Sequence, residues 1–144
     1  MNLKTKAKAF AFLTLFIVLF SACAKEESVS TLNKNRIYLT GLGSTPTKWY
    51  LTSYVSTATV LPLNYAQKRY YKTFAANNLY KDSDGFVGSW DMPGTEQLIE
   101  RYVNFPSGSP ATQSYKIVSV TATNLTISYN HNGASITAVY TAGN

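Results

Sequence analysis

Leu125-Thr126-Ile127-Ser128-Tyr129-Asn130-His131-Asn132-Gly133-Ala134-Ser135-Ile136-Thr137-Ala138-Val139-Tyr140-Thr141 is the stretch that decides the fold. Leu125, Ile127 and Tyr129 alternate with polar residues at the period of two that separates the faces of a strand. A second strand-like run follows from Ser135 to Thr141, rich in β-branched residues. Between them stands His131-Asn132-Gly133. Asn-Gly suits a two-residue hairpin turn whose central residues both need positive φ, and it is the strongest hairpin signal in the chain. Two antiparallel strands at the carboxyl end follow from this stretch alone.

Working backwards, the same pattern repeats. Thr123-Asn124 marks a turn between a strand over 113–121 and the one from Leu125, Pro106 to Pro110 a loop, and 96–105 a further strand. Phe86, Gly88, Trp90 and Met92 share one face of a strand closed by Pro93-Gly94. Asp82-Ser83-Asp84-Gly85 and Asn77-Asn78 are turns around a short strand at 79–81. The run 69–76 is a strand with Tyr70, Lys72 and Phe74 on one face, and 48–55 is the first long strand, with Trp49 and Leu51 together. Pro62 makes 58–64 a loop or edge segment, and 37–42 is a short lead-in strand or helical turn ended by Gly41, Gly43 and Pro46. No stretch of the domain shows helical periodicity. Seven or eight short antiparallel strands with tight turns predict an all-β domain over 36–144, either a sandwich or, as preferred here, an up-and-down barrel of about eight strands.

Ahead of this domain the composition changes. Lys4, Lys6 and Lys8 precede an uncharged apolar run from Ala9 to Phe20, too short for a comfortable membrane span, and then Ser21-Ala22-Cys23. The 144 residues carry a formal charge of +6. Without the three early lysines, ten Lys and Arg oppose seven Asp and Glu, and no basic stripe forms. A nucleic-acid partner is therefore not expected. With a single cysteine the chain has no internal disulfide and no zinc spacing, so packing alone must stabilise it.

Leu19-Phe20-Ser21-Ala22-Cys23 resembles a bacterial lipoprotein signal, with Phe20 where that signal usually has Leu. The resemblance implies a signal peptide over 1–22 and an acylated Cys23 as the first mature residue; the alternative is an ordinary secretory signal cut after Ala22 or Ala24. Lys25-Glu26-Glu27 resembles the surface-export signal of Bacteroidetes lipoproteins, which implies an outer-membrane lipoprotein facing the cell exterior. The polar residues that continue to Asn35 read as a flexible tether, giving a segment 23–35 between lipid and domain.

Trp49-Tyr50-Leu51, Thr73-Phe74, Asp84-Gly85, Gly88-Ser89-Trp90, Tyr115-Lys116-Ile117 and Leu125 to Tyr129 together resemble the lipocalin-like domain of such lipoproteins. That resemblance implies an eight-stranded barrel with a possible ligand cavity and no shared catalytic set. Thr47 replaces the Gly that lipocalins place two residues before the first-strand Trp, and the short domain implies a shallow cup.

Chemistry is sparse. In Leu98-Ile99-Glu100-Arg101-Tyr102-Val103 either Glu100 or Arg101 must face inward, and Ile99, Val103 and Phe105 side with Arg101. Lys72, two residues from Phe74, is expected inward as well. Two buried cations would demand an anion. The ligand site expected from this is Lys72 and Arg101 with Trp49, Trp90 and Tyr129, holding a small, partly apolar molecule with a carboxylate-like head. The competing expectation puts both cations in water at a bulge or rim, around a barrel filled by side chains. In that case the protein is an interaction module for a protein or glycan, with Tyr50, Tyr54 and Tyr71 as an outer patch. Asp82-x-Asp84-Gly85 lacks the later ligands of a calcium loop and reads as a turn, and lone His131 makes no triad or metal site. No catalytic set, metal or cofactor is expected, and an open interior of roughly 300 Å³ or more would favour the ligand binder.

Overall fold

The computed structural model describes residues 30–103 and 110–143. Cys23, Lys25, Glu26 and Glu27 lie outside the described residues. Among the described residues nine strands follow one another: β1 (Lys48–Ser56), β2 (Thr59–Leu61), β3 (Tyr71–Phe74), β4 (Leu79–Asp82), β5 (Val87–Gly94), β6 (Gln97–Tyr102), β7 (Ala111–Val120), β8 (Asn124–His131) and β9 (Ala134–Gly143). Each of β3 to β9 pairs antiparallel with its neighbour in sequence. β9 returns to β1 from Lys48↔Gly143 to Ser56↔Ile136. The sheet therefore closes on itself as an eight-stranded barrel of β1 and β3 to β9, an architecture consistent with a lipocalin-like fold and compatible with ligand binding.

β2 is the extra strand. It shares one edge of β1 with β3, pairing with the second half of β1 while β3 pairs with the first half. The turn that joins it holds Thr57 at φ 47° and Ala58 at φ 66°, the two left-handed positions of a two-residue hairpin. The carboxyl-terminal hairpin solves the same problem with Asn132 at φ 50° and Gly133 at φ 80°, as its sequence predicts.

Two helices depart from the sequence expectation. α1 occupies residues 30–40, six of them in the run expected to be a polar tether. Leu32 and Leu39, seven residues apart, lie on one face; Leu39 is fully buried and Leu32 packs on the core. So short and polar a helix holds its shape through tertiary packing rather than propensity. It closes at Gly41, whose φ of 91° lets its amide bond the Ile37 carbonyl at 2.9 Å. α2 (Tyr65–Arg69) is a single turn built on a capping box, with Asn64 Oδ1 accepting the Gln67 amide at 2.9 Å and Gln67 Oε1 accepting the Asn64 amide at 3.0 Å.

α1 lies across one end of the barrel. Asn35 Nδ2 bonds the Thr95 carbonyl in the β5–β6 turn, Arg36 bonds Asn78 Oδ1 in the β3–β4 turn, and the Trp49 indole donates to the Leu39 carbonyl at 2.8 Å. Trp49, Phe74, Trp90, Met92, Leu98 and Leu125 make the apolar core below it. The opposite end carries the β1–β2, β4–β5 and β8–β9 turns and a set of half-buried aromatic residues: Tyr54, Tyr70, Phe86, Tyr102 and Tyr129. Tyr54 corrects the expectation of an outward residue. Between Leu51 and Ser53 the register slips by one, so Thr52 is extruded and Tyr54, opposite the buried Ala138, turns inward. Tyr50 and Tyr71 do face outward, with their rings 5.4 Å apart.

Candidate functional site

The middle of the barrel is a polar cluster. Lys72 on β3 and Glu100 on β6, respectively 2% and 0% exposed, meet at 2.7 Å between Nζ and Oε1. The other Glu100 oxygen accepts the Tyr102 hydroxyl at 2.6 Å and the Tyr115 hydroxyl at 3.0 Å. Around the ammonium stand the rings of Tyr115, Tyr140 and Tyr80, at 4.8, 5.5 and 5.6 Å to their centroids. The lysine thus has an ion pair on one side and aromatic faces on the others. Burial alone would push the Lys72 ammonium down, but the Glu100 carboxylate, with the surrounding tyrosine oxygens, holds it well above its ordinary value.

Beside this pair lies a second buried carboxylate. Asp82 Oδ2 accepts the hydroxyls of Tyr80 at 2.8 Å and Tyr70 at 3.2 Å, while Oδ1 accepts the amides of Phe86 and Asp84 at 3.0 and 3.1 Å. Its Oδ1 thus shapes the β4–β5 turn and its Oδ2 is taken up by tyrosine hydroxyls. Burial raises the hydroxyls of Tyr70, Tyr80, Tyr102, Tyr115, Tyr129 and Tyr140 above their ordinary value, so each stays a neutral donor. Among the described residues no buried side-chain nitrogen or oxygen lacks a hydrogen-bond partner, so the cluster is complete without a ligand.

Lys72 is inward, as the sequence suggests, but Arg101 is not. Leu98, Glu100 and Tyr102 form the inner row of β6, and Arg101 is exposed on the outer wall with Ile99 and Val103, the latter 69% exposed. The three apolar residues at 99, 103 and 105 were a misleading guide. What sets the parity is Leu98 in the apolar core and the need of Lys72 for an anion, which Glu100 meets and Arg101 would double. Glu100 is the residue that sequence reasoning missed; Leu98 and Tyr102 on its face were the available signal. Trp49 and Trp90 are core residues whose indole nitrogens are taken by the carbonyls of Leu39 and Ala75. Tyr129 is half-buried at the end away from α1, against Tyr115. Of the expected site residues, Trp49 and Lys72 are brought together directly as cross-strand partners.

No protein-family model, curated protein or solved structure matches this chain. What the barrel offers to a ligand must therefore be read from its own surface. Among the described residues, clefts on the outer wall include the following. One of about 500 Å³ runs along β1 and β2, lined by Leu51, Val60, Leu61, Pro62, Leu63 and Lys68. A second, of about 440 Å³, crosses β6 to β9 over Ser114, Ser128, Asn130 and Ser135, with Gln97 and the exposed pair Glu96–Lys116 at its side. The third, of about 490 Å³, sits between α2 and the β4–β5 turn and is lined by Tyr65, Ala66, Arg69, Tyr71, Ser83 and Asp84. The second cleft also reaches Tyr115 and Tyr129, which are turned into the barrel, whereas the third sets the exposed ring of Tyr65 beside charged groups of both signs.

Proposed function

We propose that this chain is a non-catalytic binding module, anchored to the outer membrane through lipid on Cys23 and facing the cell exterior, which recognises its ligand with the outer wall of a filled barrel. The anchor and the location rest on Leu19 to Cys23 and on Lys25-Glu26-Glu27. The observation that carries the choice of outer wall over interior is the Lys72–Glu100 pair. An interior cation waiting for an acidic ligand should lack a protein anion, and this one has Glu100 at 2.7 Å and three tyrosine rings about it. Admitting a ligand would mean separating a buried ion pair, at several kcal/mol per uncompensated charge.

Two measurements test the reading. Labelled fatty acid fed to producing cells is expected in the wild-type chain and absent from Cys23→Ala, which should be released from the membrane; an unlabelled wild-type chain refutes the anchor. Native mass spectrometry of the chain from Ala24 onward, which carries no lipid, is expected to give the bare polypeptide mass. A stoichiometric small molecule that is lost on unfolding would refute the filled barrel and favour the alternative, a small partly apolar ligand held among Lys72, Trp49, Trp90 and Tyr129.

A further inference from the structure

Resting on the reading that recognition is external, we infer that the cleft between α2 and the β4–β5 turn is a saccharide-binding site, with an acidic sugar as its occupant. Tyr65 is 75% exposed, so its ring face is open to a ligand. It is held in place: Arg69, one helical turn on, donates to the Tyr65 hydroxyl at 3.1 Å and stands 5.6 Å from the ring centroid. Across the cleft Tyr71 is fixed by its strand, with its amide bonded to Ser83 Oγ at 3.1 Å and the Ser83 amide bonded back to the Tyr71 carbonyl at 2.9 Å. The Tyr71 ring also carries Lys48 Nζ 5.2 Å from its centroid. The rings are thus ordered before any ligand arrives, which lowers the entropy lost on binding.

The polar groups are disposed to meet hydroxyls and a carboxylate. Among the described residues neither the Arg69 guanidinium nor the Asp84 carboxylate forms an ion pair, although both line the same cleft. Ser83 Oγ accepts one amide and keeps its O–H to donate. A sugar ring presents an apolar C–H face that packs on a tyrosine, and an edge of adjacent hydroxyls that Asp84 and Ser83 can bond. The planar guanidinium fork of Arg69 matches a carboxylate in two parallel hydrogen bonds. The other two clefts differ: the β1–β2 groove has no charged group apart from Lys68, and the tyrosines of the serine-lined groove, Tyr115 and Tyr129, are buried and half-buried, whereas the Tyr65 ring stands in solvent.

The test is an array of immobilised oligosaccharides, neutral and uronic-acid-containing, probed with the mature chain, followed by calorimetric titration of the members that bind. Uronic-acid members are expected to bind, and Tyr65→Ala, Arg69→Ala and Asp84→Asn each to weaken them about tenfold or more. All three positions are exposed, so folding is retained, and circular dichroism checks it. Val60→Ala and Ser114→Ala, in the other two clefts, are expected to bind as the wild type does. A silent array, or binding indifferent to Tyr65→Ala and Arg69→Ala, overturns the assignment of this cleft. External recognition itself fails only by a different result, the stoichiometric small molecule retained in native mass spectrometry.

Discussion

Lys72→Met tests the centre of the barrel most directly. The substitution keeps the length and much of the volume of the side chain and removes its charge, leaving Glu100, which is 0% exposed, with two tyrosine hydroxyls and no cation. Breaking a buried pair from one side costs about 3–5 kcal/mol, against a total stability of about 5–15 kcal/mol for a domain of this kind. Glu100→Gln should cost a similar amount, because it strands the ammonium inside the tyrosine rings. The double variant Lys72→Met/Glu100→Gln removes both charges and keeps an acceptor for Tyr102 and Tyr115, so it should recover most of the loss. Urea denaturation of the chain from Ala24 onward, followed by circular dichroism, gives the four free energies of the cycle. Arg101→Ala, on the outer wall one residue away, should change stability by no more than about 0.5 kcal/mol. If the two single losses add within about 0.5 kcal/mol in the double variant, the groups do not act as a pair and the account of the interior is wrong.

Three further outcomes follow from the same geometry. Lys72 holds its proton well above 10.5, and Tyr70, Tyr80, Tyr102, Tyr115, Tyr129 and Tyr140 hold theirs above 10.0, so the folded chain keeps protons that the unfolded chain releases. The stability this confers is complete below about pH 10 and falls as pH rises through the folded values; tyrosinate absorbance should therefore appear in two steps, the second coincident with loss of the β-sheet signal. Replacing Thr57-Ala58 by Asn-Gly should raise stability by about 1–2 kcal/mol, by relieving two left-handed residues with side chains ill suited to that region, and an unchanged denaturation midpoint would contradict it. Gly88→Ala would place a Cβ on the Arg101 carbonyl oxygen of the neighbouring strand, and a loss of about 3 kcal/mol is expected in the same denaturation assay.

Most of the sheet was legible because its signals are local. The Asn132-Gly133 turn and the Asp82 to Gly85 turn each announce a strand end through backbone chemistry that does not depend on the rest of the molecule, whereas β5 runs on through Pro93 to Gly94 over an irregularity after Asp91. What escaped was whatever depends on a distant partner. α1 is a helix because Leu32 and Leu39 find the open end of a barrel, an end that no window of eleven residues contains. Tyr54 points inward because one extruded residue, Thr52, resets the parity of β1, and a bulge leaves no trace in residue type. The choice between Glu100 and Arg101 was the sharpest case. Apolar neighbours on one strand favoured Arg101, whereas the deciding term is the electrostatic need of Lys72, twenty-eight positions earlier and across the barrel.

The fully hydrogen-bonded polar cluster inside the barrel also bears on where recognition can vary. Inside, each group serves at least one other: Glu100 satisfies Lys72, Tyr102 and Tyr115, and Asp82 satisfies two tyrosines and a turn. A change to any of them leaves a buried partner unsatisfied, at about 1–3 kcal/mol or more, so the cluster resists piecemeal conversion into a pocket for a new ligand. The outer wall is under no such constraint. Tyr65, Arg69 and Asp84 lean on few neighbours, and substitutions at exposed positions of this kind shift stability by about 0.5 kcal/mol or less. A barrel built in this way can change the lining of its α2 cleft while its stability stays nearly constant, whereas converting the interior to a binding site would give up stability for every new contact made.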